Sequence, residues 1–135
     1  MKKQRQRAFT LIELLVSTTI IIILTTIGMV SYRQAGINSR NSRRQIDLEV
    51  VRQALLLYKQ DNGMYHPSST INFGDLVNNL RSNGYLTGDQ IVDPRGGDGY
   101  LYTAVCTASG TLGCNRVELG AYLEPDAEPY TLDTL

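Results

Sequence analysis

Five groups of residues have types and spacings that chemistry can use. Glu13 stands inside a long apolar run, "RQRAFTLIELLVSTTIIIIL", that opens on basic residues. A carboxylate in a membrane-spanning helix costs roughly 3 kcal/mol on insertion scales, so its default reading is functional, with a partner to be named. The plain alternative is that Glu13 lies near the helix start and reaches the headgroups. Cys106 and Cys114 enclose "TASGTLG" and are the only cysteines. They can close a disulfide, whereas a structural zinc site wants four ligands. His66, the single histidine, precedes Pro67; a solvated loop residue is expected there rather than a general base. "GGDG", residues 96–99, resembles a phosphate-cradling loop, but a strand follows it instead of a helix, and no Gly-Lys-Ser/Thr is present. A turn is expected. The acidic tail "EPDAEPYTLD" carries Glu124, Asp126, Glu128 and Asp133, the oxygen chemistry of a calcium site. Its spacing lacks a recognised ligand pattern and Pro125 and Pro129 interrupt it, so a solvated tail is the expectation. These residues do not compose a catalytic constellation. The expected class is non-enzymatic, with no cofactor, and calcium is the alternative for the tail.

The elements that must position these residues follow from how charge and hydropathy are distributed. The 135 residues amount to one domain, and 42% hydrophobic with 19% charged content is that of a folded chain. Net charge is zero, yet Lys2, Lys3, Arg5 and Arg7 all precede the apolar run without an accompanying acid. Without those four, nine basic residues remain against thirteen acidic, a balance of −4 that gives no support to nucleic-acid binding. From Phe9 to Val30 the segment is long enough to cross a bilayer core of about 30 Å as a helix. Its serines and threonines at 17, 18, 19, 25 and 26 can bond back to their own helix. A cleaved secretory signal would have a shorter apolar region and a clear small-residue site. An uncleaved signal anchor fits the length. Neither accounts for Glu13.

Past the span, "NSRRQIDLEVVRQALLLYKQDNG" lacks proline and places Ile46, Val50, Ala54 and Leu57 on one helical stripe flanked by Leu55 and Tyr58. Arg43, Arg44, Arg52 and Lys59 fall among the polar positions. Gly63 is a C-terminal stop and Pro67 forbids continuation. "NFGDLVNNLRSNG" predicts a short helix on Phe73, Leu76, Val77 and Leu80, capped by Asn72 and ended by Gly84. Leu101, Thr103 and Val105 then alternate with Tyr100, Tyr102 and Ala104. In the next strand Val117, Leu119, Ala121 and Leu123 point inward, and Arg116, Glu118, Tyr122 and Glu124 outward. A β-hairpin about the turn-rich connector is expected. Because the span exports the body, oxidised Cys106 and Cys114 are favoured, a bond worth about 2–3 kcal/mol.

"AFTLIELLV" closely resembles the processing and methylation signature of type IV prepilins and type II secretion pseudopilins. The signature covers Arg7 to about Val16, and the long-helix architecture extends the resemblance to about Gly63. The resemblance implies cutting between Ala8 and Phe9 by a membrane peptidase, N-methylation of Phe9, and pairing of Glu13 with the amino terminus of a neighbouring subunit. It also implies a filament subunit that relies on the prepilin peptidase and methyltransferase, an assembly ATPase and a platform protein. Calcium binding in the C-terminal region is a property of the major pseudopilins. Two positions depart from the pattern: Ala8 stands where glycine is usual, and Val30 lies near where many major pilins carry a helix-disrupting proline.

The expected fold is therefore α+β, a long N-terminal helix packed on a small antiparallel sheet. Residues 1–8 form a cytoplasmic leader, 9–32 the transmembrane or filament-core helix, 33–63 its amphipathic continuation and 64–135 the globular domain. The expected location is the bacterial inner membrane, amino terminus inside, and then a surface or periplasmic filament. Membrane lipid is the partner before assembly. Arg33, Arg40, Arg43 and Arg44 follow the span, so orientation rests on the signature rather than on charge bias. A surface pilus, a type II secretion pseudopilus and an uncleaved membrane-anchored binding module are the three classes in view.

Overall fold

A computed structural model describes residues 9–68, 70–88, 90–96, 101–110 and 113–134. The order of elements is α1 (Leu11–Asn62), α2 (Phe73–Ser82), β1 (Thr103–Gly110), β2 (Gly113–Leu123) and β3 (Glu128–Asp133). The expected α+β architecture is present. The chain divides into two compact units, Met1–Gly36 and Ile37–Leu135, and α1 contributes its first part to one and its second to the other.

In the first unit α1 runs through "LIELLVSTTIIIILTTIGMV" unbroken, Gly28 included. Its apolar side chains find no cover in the fold: Leu11, Ile12, Ile22 and Val30 are all more than half exposed. The hydroxyls of Ser17, Thr18, Thr19, Thr25 and Thr26 donate to carbonyls three or four residues earlier, as the composition predicted. This helix is long and apolar enough to cross a membrane.

The second unit holds the core. Leu48, Val51, Ala54, Leu55 and Tyr58 of α1 meet Phe73, Leu76, Val77 and Leu80 of α2, together with Ala104, Val117, Leu119 and Ala121 of the sheet. The packed stripe of α1 differs from the expected one. Ile46, Val50 and Leu57 are 62%, 43% and 55% exposed, while Arg44, Leu48, Val51, Leu55 and Tyr58 face inward at spacings of four, three, four and three. Apolar side chains on both faces made the stripe ambiguous, and the charge of Arg44 steered it wrongly. α1 ends as expected, with Gly63 at φ 75° and its N–H bonded to the Lys59 carbonyl at 2.8 Å. α2 is capped by Asn72, whose side chain accepts from the Asp75 N–H at 2.8 Å, and Gly84 follows at φ 80°.

The sheet has three antiparallel strands in the order β1-β2-β3. β1 and β2 form the expected hairpin, with Thr103 opposite Gly120 and Cys106 opposite Val117. Three expectations are corrected here. The connector is mostly strand, because β1 extends to Gly110 and β2 begins at Gly113, with register irregularities beyond Cys106. The acidic tail keeps Asp126, Glu128 and Asp133 exposed but is not loose: Glu128–Asp133 is the third strand, pairing Leu119 with Leu132 and Ala121 with Tyr130. Pro129 is tolerated because β3 is an edge strand. Glu124 does not point outward, since the alternation stops with β2 at Leu123 and Glu124 is buried in the turn beyond. Leu123 is half-buried. Tyr100 and most of the "GGDG" turn lie outside the described residues, as does the tip of the hairpin at 111–112.

Candidate functional site

The chemistry expected at the amino-terminal end is built on the first turn of α1. Thr10 caps the helix: its Oγ1 accepts from the Glu13 N–H at 3.3 Å, and the Glu13 carboxylate reaches back to the Thr10 N–H at 3.0 Å. The same Oε2 also accepts from the Thr10 hydroxyl at 3.0 Å. This is a reciprocal capping box, threonine at one position and glutamate three later, which satisfies donors that the helix start leaves orphaned. The Thr-x-x-Glu spacing carries this local partner for Glu13 in the sequence itself. Oε1 makes no hydrogen bond among the described residues. Glu13 thus keeps one oxygen on its own helix and presents the other. Phe9, 87% exposed, stands beside it, and the two share a shallow groove with Ile12, Val16 and Ser17. Ala8 and the rest of the leader lie outside the described residues.

A second cluster lies wholly in the second unit, and only its members' charges were visible in the sequence. Glu124 receives Arg40 through both Nε at 2.8 Å and an Nη at 2.5 Å. Arg44 lies 3.0 Å from Oε1 of the same carboxylate, and Arg95 lies 3.4 Å from Oε2. Arg44, fully buried, also forks onto Asp93 at 2.6 and 3.0 Å. Asn41 bonds both the carbonyl and the N–H of Glu124. The Arg40 guanidinium, helped by Arg44 against the opposing effect of burial, holds the Glu124 carboxyl down at about 2. Burial pushes Asp93 upward, but Arg44 and the Arg95 N–H outweigh it and leave Asp93 below the usual range. Alongside, Tyr102 donates to Asp47 at 2.6 Å; burial first and then this bond push the phenol well above its ordinary value. Tyr85 donates likewise to Asp61 at 2.8 Å, which raises it too. These contacts fasten α1 to the loops. They place no nucleophile beside a base and present no vacant acid–base pair. For Arg40 and Arg44 the signal was an excess of arginine on the helix, opposite carboxylates 84 and 49 residues away and too distant for spacing rules to join.

Cys106 and Cys114 are bonded to each other across β1 and β2. Cys114 is fully buried and exchanges backbone bonds with residues 65 and 66, the Tyr65 N–H donating to its carbonyl and its own N–H to the His66 carbonyl, each at 2.8 Å. Gly113 makes this approach possible, because a Cβ there would collide with the His66 carbonyl oxygen. His66 is therefore not solvated: it is buried, bridged to Cys114, and its Nδ1 accepts from the Ser68 N–H at 3.1 Å. Of the acidic residues that suggested calcium, Glu124 is committed to arginines, and Asp133 lies 3.8 Å from Arg116. Among the described residues no three His, Cys, Asp or Glu side chains converge as metal ligands would.

Comparison with known proteins bears on one end of the chain. No curated protein and no solved structure matches. Residues 3–29 match the family model of the prokaryotic N-terminal methylation motif, so the chain carries a type IV prepilin-like signature on the turn that Thr10 and Glu13 build.

Proposed function

We propose that this chain is the structural subunit of a type IV pilus-like filament. It is made as a membrane-inserted precursor with residues 1–8 in the cytoplasm and 9–32 in the bilayer. A prepilin peptidase cuts it between Ala8 and Phe9, and Phe9 is N-methylated. An assembly ATPase and a platform protein then drive polymerisation, in which apolar helices bundle and the globular domains form the surface. The observation that carries this reading is the coincidence of the methylation-motif match at 3–29 with an uncovered apolar helix and a half-free carboxylate at its first turn. A buried carboxylate needs a partner, and the amine freed at Phe9 is a cation at the right end of a neighbouring helix. The role is structural rather than enzymatic, and the filament leaves the inner membrane for the periplasm or cell surface.

Glu13→Ala tests the assembly step. Membrane insertion and cutting are expected to persist while sheared-surface filaments, counted by electron microscopy, are lost. Wild-type filament yield from that variant would show that the carboxylate serves only the helix end or the headgroups. In wild type, long surface fibres support the pilus reading; short fibres confined to the periplasm would assign the chain to a secretion pseudopilus instead.

A further inference from the structure

We propose that Tyr32 and Arg33 form a phospholipid-headgroup anchor that sets the depth of the apolar helix in the bilayer. The proposal rests on the membrane-spanning reading and goes beyond it by naming what holds the exit end. Within the first unit the apolar run closes at Val30, and the next large side chains are Tyr32, 82% exposed, and Arg33, the first charge after Glu13 and also exposed. Neither makes a hydrogen bond or ion pair among the described residues. Arg40 and Arg44, by contrast, are taken up by Glu124 and Asp93.

The surface beside Arg33 has the chemistry of a lipid's upper half. Arg33 shares a groove of about 210 Å³ with Thr25, Thr26, Met29 and Val30. Thr25 and Thr26 turn their hydroxyls onto the Ile21 and Ile22 carbonyls at 2.8 and 2.7 Å, so their donors are spent on the helix itself. What remains is a mostly apolar floor with one guanidinium at its rim. A helical side chain leans toward the N-terminus of its helix, which carries the Arg33 head back over the last apolar turn. An acyl chain on that floor brings its phosphate to the guanidinium, whose planar fork donates two parallel N–H bonds to phosphate oxygens. Tyrosine suits the same level, apolar ring below and hydroxyl in water.

The lengths agree. Phe9 to Arg33 rises about 36 Å at helical pitch, against a hydrocarbon core of about 30 Å. With Phe9 at one boundary, Arg33 reaches the opposite headgroups, and Glu13 lies about 6 Å inside the first boundary. The anchor thereby fixes the level at which the cleavage junction and Glu13 are presented.

Because the chain contains no tryptophan, one introduced tryptophan reports alone. The probes are Ile22→Trp and Tyr32→Trp in the full chain, in vesicles of phosphatidylcholine and phosphatidylglycerol brominated either near the headgroup or deep in the acyl chain. The Ile22→Trp probe is expected to be quenched by the deep label and the Tyr32→Trp probe by the shallow one. Adding Arg33→Glu to the second probe is expected to remove most of its shallow quenching, Arg33→Lys, a cation without the bidentate fork, to retain part of it, and added inorganic phosphate to leave it unchanged. Unchanged quenching in the Arg33→Glu variant overturns the anchor while the span stands. Quenching that varies with protein-to-lipid ratio overturns it in favour of a second copy in the groove. Failure of the deep label to quench the Ile22→Trp probe overturns the spanning reading and the anchor together.

Discussion

At the residue scale, Glu13 and Glu124 are carboxylates with opposite fates. Glu13 was conspicuous in the sequence because a charge in an apolar run demands a reason. Its partner Thr10 was legible too, three residues away, but a charge in an apolar run points first to a distant partner and a cap is a local one. The two roles separate experimentally. Glutamine can complete a capping box but carries no charge. Glu13→Gln is therefore expected to preserve helicity in detergent by circular dichroism and still abolish filaments, whereas Thr10→Ala is expected to weaken the cap by about 1 kcal/mol. Glu124 was misread because period-two alternation was carried one residue past the strand's end. Its arginines lie 84 and 80 residues earlier in the chain, out of reach of any local pattern. Removing its charge leaves buried Arg44 undercompensated, and Glu124→Gln is expected to cost about 3–5 kcal/mol in urea unfolding of the detergent-solubilised chain. The pH dependence has a definite sign. A carboxyl held below its unfolded value stabilises the fold above that value and loses the contribution as pH falls through the folded one. Stability is expected to decline from about pH 4.5 toward about 2, Asp93 acting in the same direction. The decline should be shallower in Glu124→Gln; an identical acid profile would mean that the cluster does not govern it.

At the element scale, the long helix, its Gly63 stop, the Asn72 cap and the hairpin were all readable. Each depends on a few neighbouring residues with one strong conformational preference. The rotation of α1 was not readable, because Ile46, Val50 and Leu57 make as good an apolar stripe as the one that packs, and only the tertiary partners choose. That choice has a measurable consequence. Leu48→Ala, at a fully buried site, is expected to destabilise by about 2–5 kcal/mol. Ile46→Ala is expected to stay within about 0.5 kcal/mol in the monomer. Equal losses at both positions would reverse the assigned face. β3 was hidden by its proline and acids, although Tyr130 and Leu132 already alternate with Pro129, Thr131 and Asp133. An edge strand tolerates what a central strand does not. The disulfide ties the hairpin of a small sheet whose core is shared with the helix. Replacing both cysteines with serine is expected to lower stability by about 2–3 kcal/mol, and non-reducing mass spectrometry of exported protein should show Cys106 and Cys114 bonded.

At the scale of the whole molecule, the two units pose different physical problems. The second buries its apolar side chains on itself and fixes loops to helix through arginine–carboxylate and tyrosine–aspartate contacts. The first leaves the apolar part of α1 exposed among the described residues, a surface suited to lipid or to further copies of the helix. Under the proposed function, a precursor that waits in a bilayer and then joins a filament would meet both demands in turn, and the proposed cut before Phe9 would connect the two stages by freeing an amine. The intact mass of the chain recovered from cells that also express a prepilin peptidase tests this most directly. Loss of Met1–Ala8 together with the gain of one methyl group at Phe9 is the expected result. A mass that still begins at Met1, without methylation, would contradict the account and leave a membrane-anchored protein that never polymerises.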